Sequence, residues 1–380
     1  TKKGQDQFDM DMLEELSKSH AWANNLRVYN KLLKIKSTYI DRFLDGQEDG
    51  KYYFYFKQNG TVSGRYGSDA QQLPKPKEEG DDVPIIVHYN NLVRSFLIAG
   101  KGRKFIDDDY SSLEPRIFSA VTGDEGLKDI YRNNWDFYST IAIKTENLDQ
   151  DKVKYPNGVS PDIQSPVFLK KIDPTKRNMA KGYSLGLAYG MSPYALSMNL
   201  GISQEEGKVL HEGYLNGFPK LKEWIEKSRE FTKANGYIKN MVGRIRHLPK
   251  VKQIYSKYGD QILDYKFRKE LSQRYGLEAV TQLYRDYKNG INNCLNFQIQ
   301  SMGASVVNRA AIQINRKAKE LGIDARVCAQ IHDQLVINVR EEEAKMFAPH
   351  VQNIMENTTK LDGVILVAEP EIANNLKEGH

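Results

Sequence analysis

Apolar residues recur along this chain with two different periods, and the switches between them mark its elements. Residues 9–45 carry Met12, Leu13, Leu16, Leu26, Val28, Tyr29, Leu32, Leu33 and Ile35 at mixed helical spacings, which predicts helix. Lys51 to Lys57 is aromatic and strand-like, and Asn59-Gly60 supplies a turn, so a hairpin is expected there. Residues 74–84 are rich in Pro, Lys and acidic groups and read as an exposed loop. Residues 145–176 read as loop too, because Pro156, Pro161, Pro166 and Pro174 break any long helix. Helical patterns dominate from Thr175 to about Phe231, Gly236 to Pro249 resembles a turn and strand pair, and 251–290 is charged and Tyr-rich at helical spacing. Near the end, Val327, Ala329 and Ile331 alternate before His332-Asp333, and Leu335, Ile337 and Val339 alternate after it, which predicts a hairpin. The sum is an α+β chain with strands towards both ends, helices between them and no internal repeat.

Composition narrows this only a little. At 380 residues the chain can bury a large core and form two or three domains or subdomains. Its 55 Lys and Arg exceed its 49 Asp and Glu by six, a mild excess that suits a polyanionic partner without requiring one. Cys294 and Cys328 are the only cysteines, too few for a disulfide framework or a zinc site. No 18-residue apolar run and no signal peptide occur, so no membrane partner is expected. The expected setting is a reducing cytoplasm, that of the host cell if the chain is viral. The first residue is Thr rather than Met, which suggests a trimmed or expressed fragment.

Candidate chemistry sits at strand ends. Phe105-Ile106 leads into Asp107-Asp108-Asp109, and Ser111 or Ser112 can open a helix after it, since Pro115 is tolerated in a first turn. Asp333 occupies the tip of the second hairpin, where Asp is also a common turn former. Two carboxylates delivered to strand ends from distant parts of a chain suit a two-magnesium phosphoryl-transfer site. Between them, Arg177, Lys181, Leu185 and Tyr189 stand at four-residue steps. Each step turns about 40° around a helix, so the first three share a side and Tyr189 trails round it. Arg and Lys on one face can bind a triphosphate, the Arg by its planar fork and the Lys as a mobile charge. Gly182, Gly186 and Gly190 permit close approach of another surface. Taken singly, a hairpin Asp, three Asp in a row and a basic i, i+4 pair are more often turn former, solvated edge and solvated face.

In combination these residues resemble the family A DNA polymerases, the relatives of bacterial DNA polymerase I and many phage replicases. Asp109 to Glu114 with Arg116 is similar to the family's Asp-Tyr-Ser-Gln-Ile-Glu-Leu-Arg motif. Arg177, Lys181, Tyr189 and Gly190 are similar to its finger-helix motif, and His332-Asp333 to its His-Asp-Glu. Further matches follow in the family's order: Lys36 to Tyr39, Ser63-Gly64-Arg65, Gly123 to Leu127, Gly236-Tyr237, Gly243-Arg244 with Leu248-Pro249, Asn296 with Gln300, and Asn375 to His380. The resemblance implies a right-hand fold. Its antiparallel palm sheet would come from 34–127 and 291–380, its helical fingers from 128–290 with insertions near 145–176 and 251–290, and 1–33 would be a thumb remnant. It implies DNA-directed DNA synthesis from dNTPs on primer–template DNA, with pyrophosphate release. Asp109 and Asp333, with the Tyr110 carbonyl, would hold two Mg²⁺, for which Mn²⁺ can substitute; one activates the primer hydroxyl and one holds the triphosphate. Arg177 and Lys181 would bind phosphates, Lys181 being the acid for pyrophosphate. Glu114 would exclude a 2′-hydroxyl and Tyr189 would stack at the template position. Arg65, Asn296 and Gln300 would touch the minor groove, and His332 and Asn292 would join the DNA contacts.

Four positions depart from the family pattern. Gln334 replaces Glu and cannot supply its charge. Leu185 stands where an aromatic ring adjoins the sugar, Tyr138 where many relatives place a phosphate-binding His, and Asn292 where Arg is frequent. A proofreading domain and most of a thumb are not seen in this chain, so it is expected to be a core cut from a longer protein or one that relies on a partner chain. Alternatives are a single-subunit RNA polymerase, against which Glu114 speaks, and a catalytically idle DNA-binding relative. An unrelated two-metal nuclease would leave the basic helix unexplained.

Overall fold

The computed structural model describes residues 10–74 and 84–379. The expected loop at 74–84 therefore lies almost wholly outside the described residues, as do residues 1–9 of the lead-in and His380. The lead-in is helical as expected but interrupted at Lys18–His20, giving Met10–Ser17 and Ala21–Ile35, which continues through a π turn into Asp41–Gly46.

The centre is a four-stranded antiparallel sheet built from β1 (Arg103–Tyr110), β2 (Ala325–Ile331), β3 (Gln334–Arg340) and β4 (Ala368–Ala373), in the order β4-β1-β3-β2. Alternation sorts β1 onto two faces. Ile106, with Leu335, Ile337 and Val339 beside it, faces the larger core, which α6 (Glu341–Asn357) closes. Phe105, with Ala329, Ile331 and Val336, faces a smaller core that includes Ala70, Leu73 and Val93. Asp107 and Asp109 share the Phe105 face, and Asp108 and Tyr110 share the Ile106 face. The Tyr110 hydroxyl donates to the Met355 carbonyl of α6 at 2.8 Å, locking sheet to helix.

Between β1 and β2 the chain is mostly helical. Its elements include α1 (Leu113–Thr122), α2 (Phe137–Glu146), α3 (Pro174–Ala188), α4 (Pro219–Asn235) and the 45-residue α5 (Leu277–Leu321). The expected strand pair is Tyr237–Lys239 with Ile245–His247. The 251–290 stretch is helical as read, but its last helix is α5 itself, which crosses residue 290 without a break. The 145–176 stretch is loop-rich as expected, yet its Tyr155, Phe168 and Leu169 are buried. Among the described residues no helix is long and apolar enough to cross a membrane.

The single strand expected over 51–57 does not form. Lys51–Tyr52 pairs back onto Gln47–Glu48, and Phe56–Lys57 pairs forward onto Gly67–Ser68. The burial nevertheless alternates, with Tyr52, Phe54 and Phe56 inward. Edge-to-face stacking of Phe43, Tyr52 and Phe54, at 4.9 and 5.2 Å, secures those rings without a continuous ladder.

Candidate functional site

β2 and β3 are joined by two residues, His332 and Asp333, because Ile331 pairs with Gln334. His332 lies in the left-handed region at φ 58°, a costly conformation for a non-glycine residue. This tight turn thrusts Asp333 past the sheet edge. Asp109 pairs across the sheet with Gln334, one residue from that turn, so the two carboxylates meet at the same end of adjacent strands. Both are partly buried.

A cavity of about 330 Å³ opens beside the turn, and Arg65, Glu114, Tyr138, Leu185, His332 and Asp333 all contribute to its wall. Gly303 and Ala304 of α5 form part of the floor, where small residues keep the space open. Glu114 stands on the first turn of α1, whose N-cap is Ser112. Ser112 opens the helix as expected, at φ 55° and without a capping bond from its side chain. The Glu114 carboxylate is ion-paired to Arg65 and accepts a 3.2 Å hydrogen bond from the Tyr189 hydroxyl. That pair ties three distant sequence positions to one wall of the cavity.

α3 carries the basic face. Asp173 caps it by accepting from the Lys176 amide, and Pro174 fits its first turn. Its C-terminus closes with a Schellman motif: Met191 N–H donates to the Gly186 carbonyl at 2.9 Å and Gly190 N–H to the Leu187 carbonyl at 3.0 Å. Gly190 has φ 86°, and a Cβ there would meet Arg229 and Asn292 at under 3 Å. A Cβ on Gly182 would meet only Leu200, at 3.6 Å, so that glycine is not required for close approach. Tyr189 lies just past the helix as its C-cap rather than trailing along its side, which lets the hydroxyl turn to Glu114.

Lys181 is exposed. Arg177 is engaged: its Nε and Nη2 reach the two oxygens of Asp136 at 3.0 and 2.9 Å, and its guanidinium lies 5.2 Å from the Tyr138 ring centre. Burial alone would raise the Asp136 carboxyl pKa. Hydrogen bonds from Arg177 and from the Ser139 hydroxyl and amide outweigh it and hold the group below its ordinary range. Sequence reading missed Asp136, although it stands two positions before the candidate Tyr138; nothing in a sequence links it to a residue 41 positions away.

The Gln334 amide is engaged within the sheet. Its amide Nε2 donates to Asp107, diagonally across β3 and β1, and both side chains are buried. Burial pushes the Asp107 carboxyl up to about 7, opposed by the Gln334 hydrogen bond and by the fully buried Arg94. Asp107 entered the sequence reading only as part of an acidic run, and Arg94 not at all. Asp108 points to the other face and is pushed up to about 8 by burial and then by the neighbouring carboxylates Asp107, Glu356 and Asp109.

Asn292 lies away from this cavity. It accepts from Arg229 at 3.1 Å and lines a second cavity of about 250 Å³ with Gly190 and Met191. Asn296, one turn along α5, and Gln300, one turn further, are partly buried on the same helix. The donor set at the first site suits a hard divalent cation: two carboxylates, no thiolate, and an amide already engaged elsewhere. Among the described residues no group of three or more His, Cys, Asp or Glu gathers to hold a metal, so further ligands would come from phosphate oxygens and water.

The family model for DNA polymerase family A matches residues 1–378. The chain is 28% identical over 352 residues to a thermostable DNA polymerase I of Thermus filiformis, covering 92% of this chain and 36% of the relative. It is 26% identical over 354 residues to DNA polymerase I of Pseudomonas aeruginosa, covering 93% of this chain and 33% of that protein. The chain thus spans about a third of the length of these relatives. Among solved structures, it is similar to the polymerase domain of Pol1 from M. smegmatis in complex with DNA primer-template and dNTP. That match has a TM-score of 0.77 and 24% identity, over 100% of this chain and 57% of the other.

Proposed function

Because this chain belongs to DNA polymerase family A, we propose that it is a DNA-directed DNA polymerase core, adding dNTPs to a primer 3′ end on a DNA template. The observation that carries this reading is the convergence of Arg65, Glu114, Tyr138, Leu185 and Asp333 on one cavity, with Asp109 delivered beside the turn. In this reading the four-stranded sheet is the palm, and helices within 128–290 are the fingers. Members of the family use divalent metal ions; here two Mg²⁺, or Mn²⁺ in their place, would be held by Asp109, Asp333 and the Tyr110 carbonyl. When bound, such ions supply the positive charge that phosphoryl transfer needs.

The chain's own groups do the rest. Arg177 presents a planar fork to triphosphate oxygens and would exchange Asp136 for them, while exposed Lys181 donates a proton to the departing pyrophosphate. Glu114, held by Arg65 and Tyr189, forms the wall under the sugar, where an added 2′-hydroxyl would meet a carboxylate that is already fixed. Leu185 offers that sugar an aliphatic surface in place of a ring. Tyr189 stacks at the template position, Arg65, Asn296 and Gln300 meet the minor groove, and His332 and Asn292 join the DNA contacts.

Extension of a labelled primer with Mg²⁺ and dNTPs tests the proposal, with Asp333→Ala alongside. The expected outcome is synthesis by the parent and near-complete loss in the variant at unchanged folding. Undiminished extension by Asp333→Ala would sink the metal assignment. Absence of synthesis by the parent despite tight primer–template binding would sink the activity.

A further inference from the structure

Beside the catalytic cavity stands a helical layer that contributes no residue to it. Pro249–Tyr258, the short 3₁₀ turn Gly259–Leu263, Tyr265–Tyr275 and the first turns of α5 pack on a small core of their own, formed by Val251, Ile254, Ile262, Tyr287 and Ile291. Between residues 250 and 290 the sequence has nine Lys and Arg against five Asp and Glu, a net of +4 out of the chain's +6. Six of the 22 tyrosines fall in the same stretch.

Three of the acidic groups are already engaged. Asp260 pairs with Lys233 and accepts from Tyr287, Asp264 caps Tyr265–Tyr275, and Asp286 pairs with Lys250. Lys257, Arg268 and Arg274, by contrast, lie over rings. Lys257 sits 5.1 Å from the Tyr258 ring centre and 5.6 Å from that of Tyr275, Arg274 lies 5.4 Å from Tyr275, and Arg268 lies 4.1 Å from Tyr284. Tyr265 is 70% exposed and Tyr275 45% exposed, with exposed Lys266, Lys269 and Arg274 on the same helix. The second cavity joins this layer to the end of α3, since Leu263 and Lys288 complete a wall begun by Gly190 and Met191.

We propose that this layer is a platform for single-stranded nucleic acid, holding the unpaired template strand ahead of the catalytic cavity. Flat rings with cations beside them stack on any base, and a positive surface follows the sugar–phosphate backbone without regard to sequence. A duplex would use the charges but leave the rings idle, because its bases are already stacked on one another. The link through the second cavity gives the strand a direct path to the end of α3. The inference rests on the proposed template-directed reaction only for the identity of the strand.

The test compares binding of the whole chain to two primer–templates by fluorescence anisotropy. One has a 5′ template overhang of about twelve nucleotides, within the usual span of such surfaces, and the other an overhang of about one. The parent is expected to favour the long overhang about tenfold. Tyr265→Ser with Tyr275→Ser should erase most of that ratio, and so should Lys266→Ser, Lys269→Ser and Arg274→Ser together. Affinity for the short overhang and the melting temperature should stay unchanged. Three outcomes overturn the proposal: a ratio near one in the parent, an unchanged ratio in both variants, or equal losses on the two DNAs, which would mean a duplex contact. Binding of an acidic polypeptide such as polyglutamate with no overhang preference would assign the face to a protein partner and overturn it as well. If primer extension fails while the overhang ratio survives, the catalytic reading falls and this one stands.

Discussion

Gln334 illustrates how a single amide can redistribute charge beneath a carboxylate pair. Its Nε2 donates to Asp107 on the face that also carries Asp109, with the buried Arg94 guanidinium nearby. A glutamate at this position could not donate while ionised, and it would place a second negative group against a buried one. Gln334→Glu is therefore expected to destabilise the fold by about 2 kcal/mol, the cost of a buried acceptor left without its donor. Adding Asp107→Asn should recover most of the loss by reversing donor and acceptor. Urea unfolding of the two single variants and the double variant measures this coupling, and purely additive effects would refute it. Asp136 supports a prediction about pH. Its carboxyl titrates below the ordinary value once Arg177 and Ser139 outweigh burial, so the unfolded chain takes up the proton first as acid is added. The stability it contributes is complete above about pH 4 and is lost as pH falls through its folded-state pKa. Melting temperatures between about pH 5 and pH 3 should consequently fall less steeply in Asp136→Asn than in the parent.

Among the elements, α3 shows why glycines of one motif are not equivalent. Gly190 closes the helix at φ 86° with Arg229 and Asn292 against it, whereas Gly182 is exposed in mid-helix with room for a methyl group. Gly190→Ala should cost about 1–3 kcal/mol through left-handed strain and displacement of those side chains. Gly182→Ala should stabilise by about 0.5–1 kcal/mol, the usual helix gain. Denaturant unfolding distinguishes them by opposite shifts in midpoint. This contrast also marks what could be read from sequence. The strand ends bearing Asp109 and Asp333 were legible, because period-two alternation and a two-residue turn are local signals. The dipeptide ribbons at Lys51–Tyr52 and Phe56–Lys57 were not, because alternation fixes which side chains are buried but not which neighbour supplies the hydrogen bonds. The Arg65–Glu114 and Arg177–Asp136 pairs, 49 and 41 residues apart, were also invisible, since no periodicity encodes a tertiary distance.

At the scale of the molecule, α5 links two cores of unequal size. Its later turns, from Cys294 to Ala318, pack into the large core under the sheet, while Tyr287 and Ile291 belong to the small core of the 250–290 layer. Within the layer Gly290 lets α5 pack closely on Pro249–Tyr258, for a Cβ there would collide with the Val251 Cγ2 methyl. A small core buries less apolar surface per ordered residue, so its cooperative opening costs less free energy than that of the main body. Native-state hydrogen exchange should accordingly divide α5 into two. Amides from 294 to 318 should exchange only through global unfolding, and those from 277 to 288 through a subglobal opening shared with Pro249–Tyr258 and Tyr265–Tyr275. Gly290→Ala should widen that gap by lowering protection in the layer while leaving the later turns of α5 at their global value. Uniform protection along all 45 residues, in the parent and the variant, would mean that the layer and the sheet unfold as a single unit.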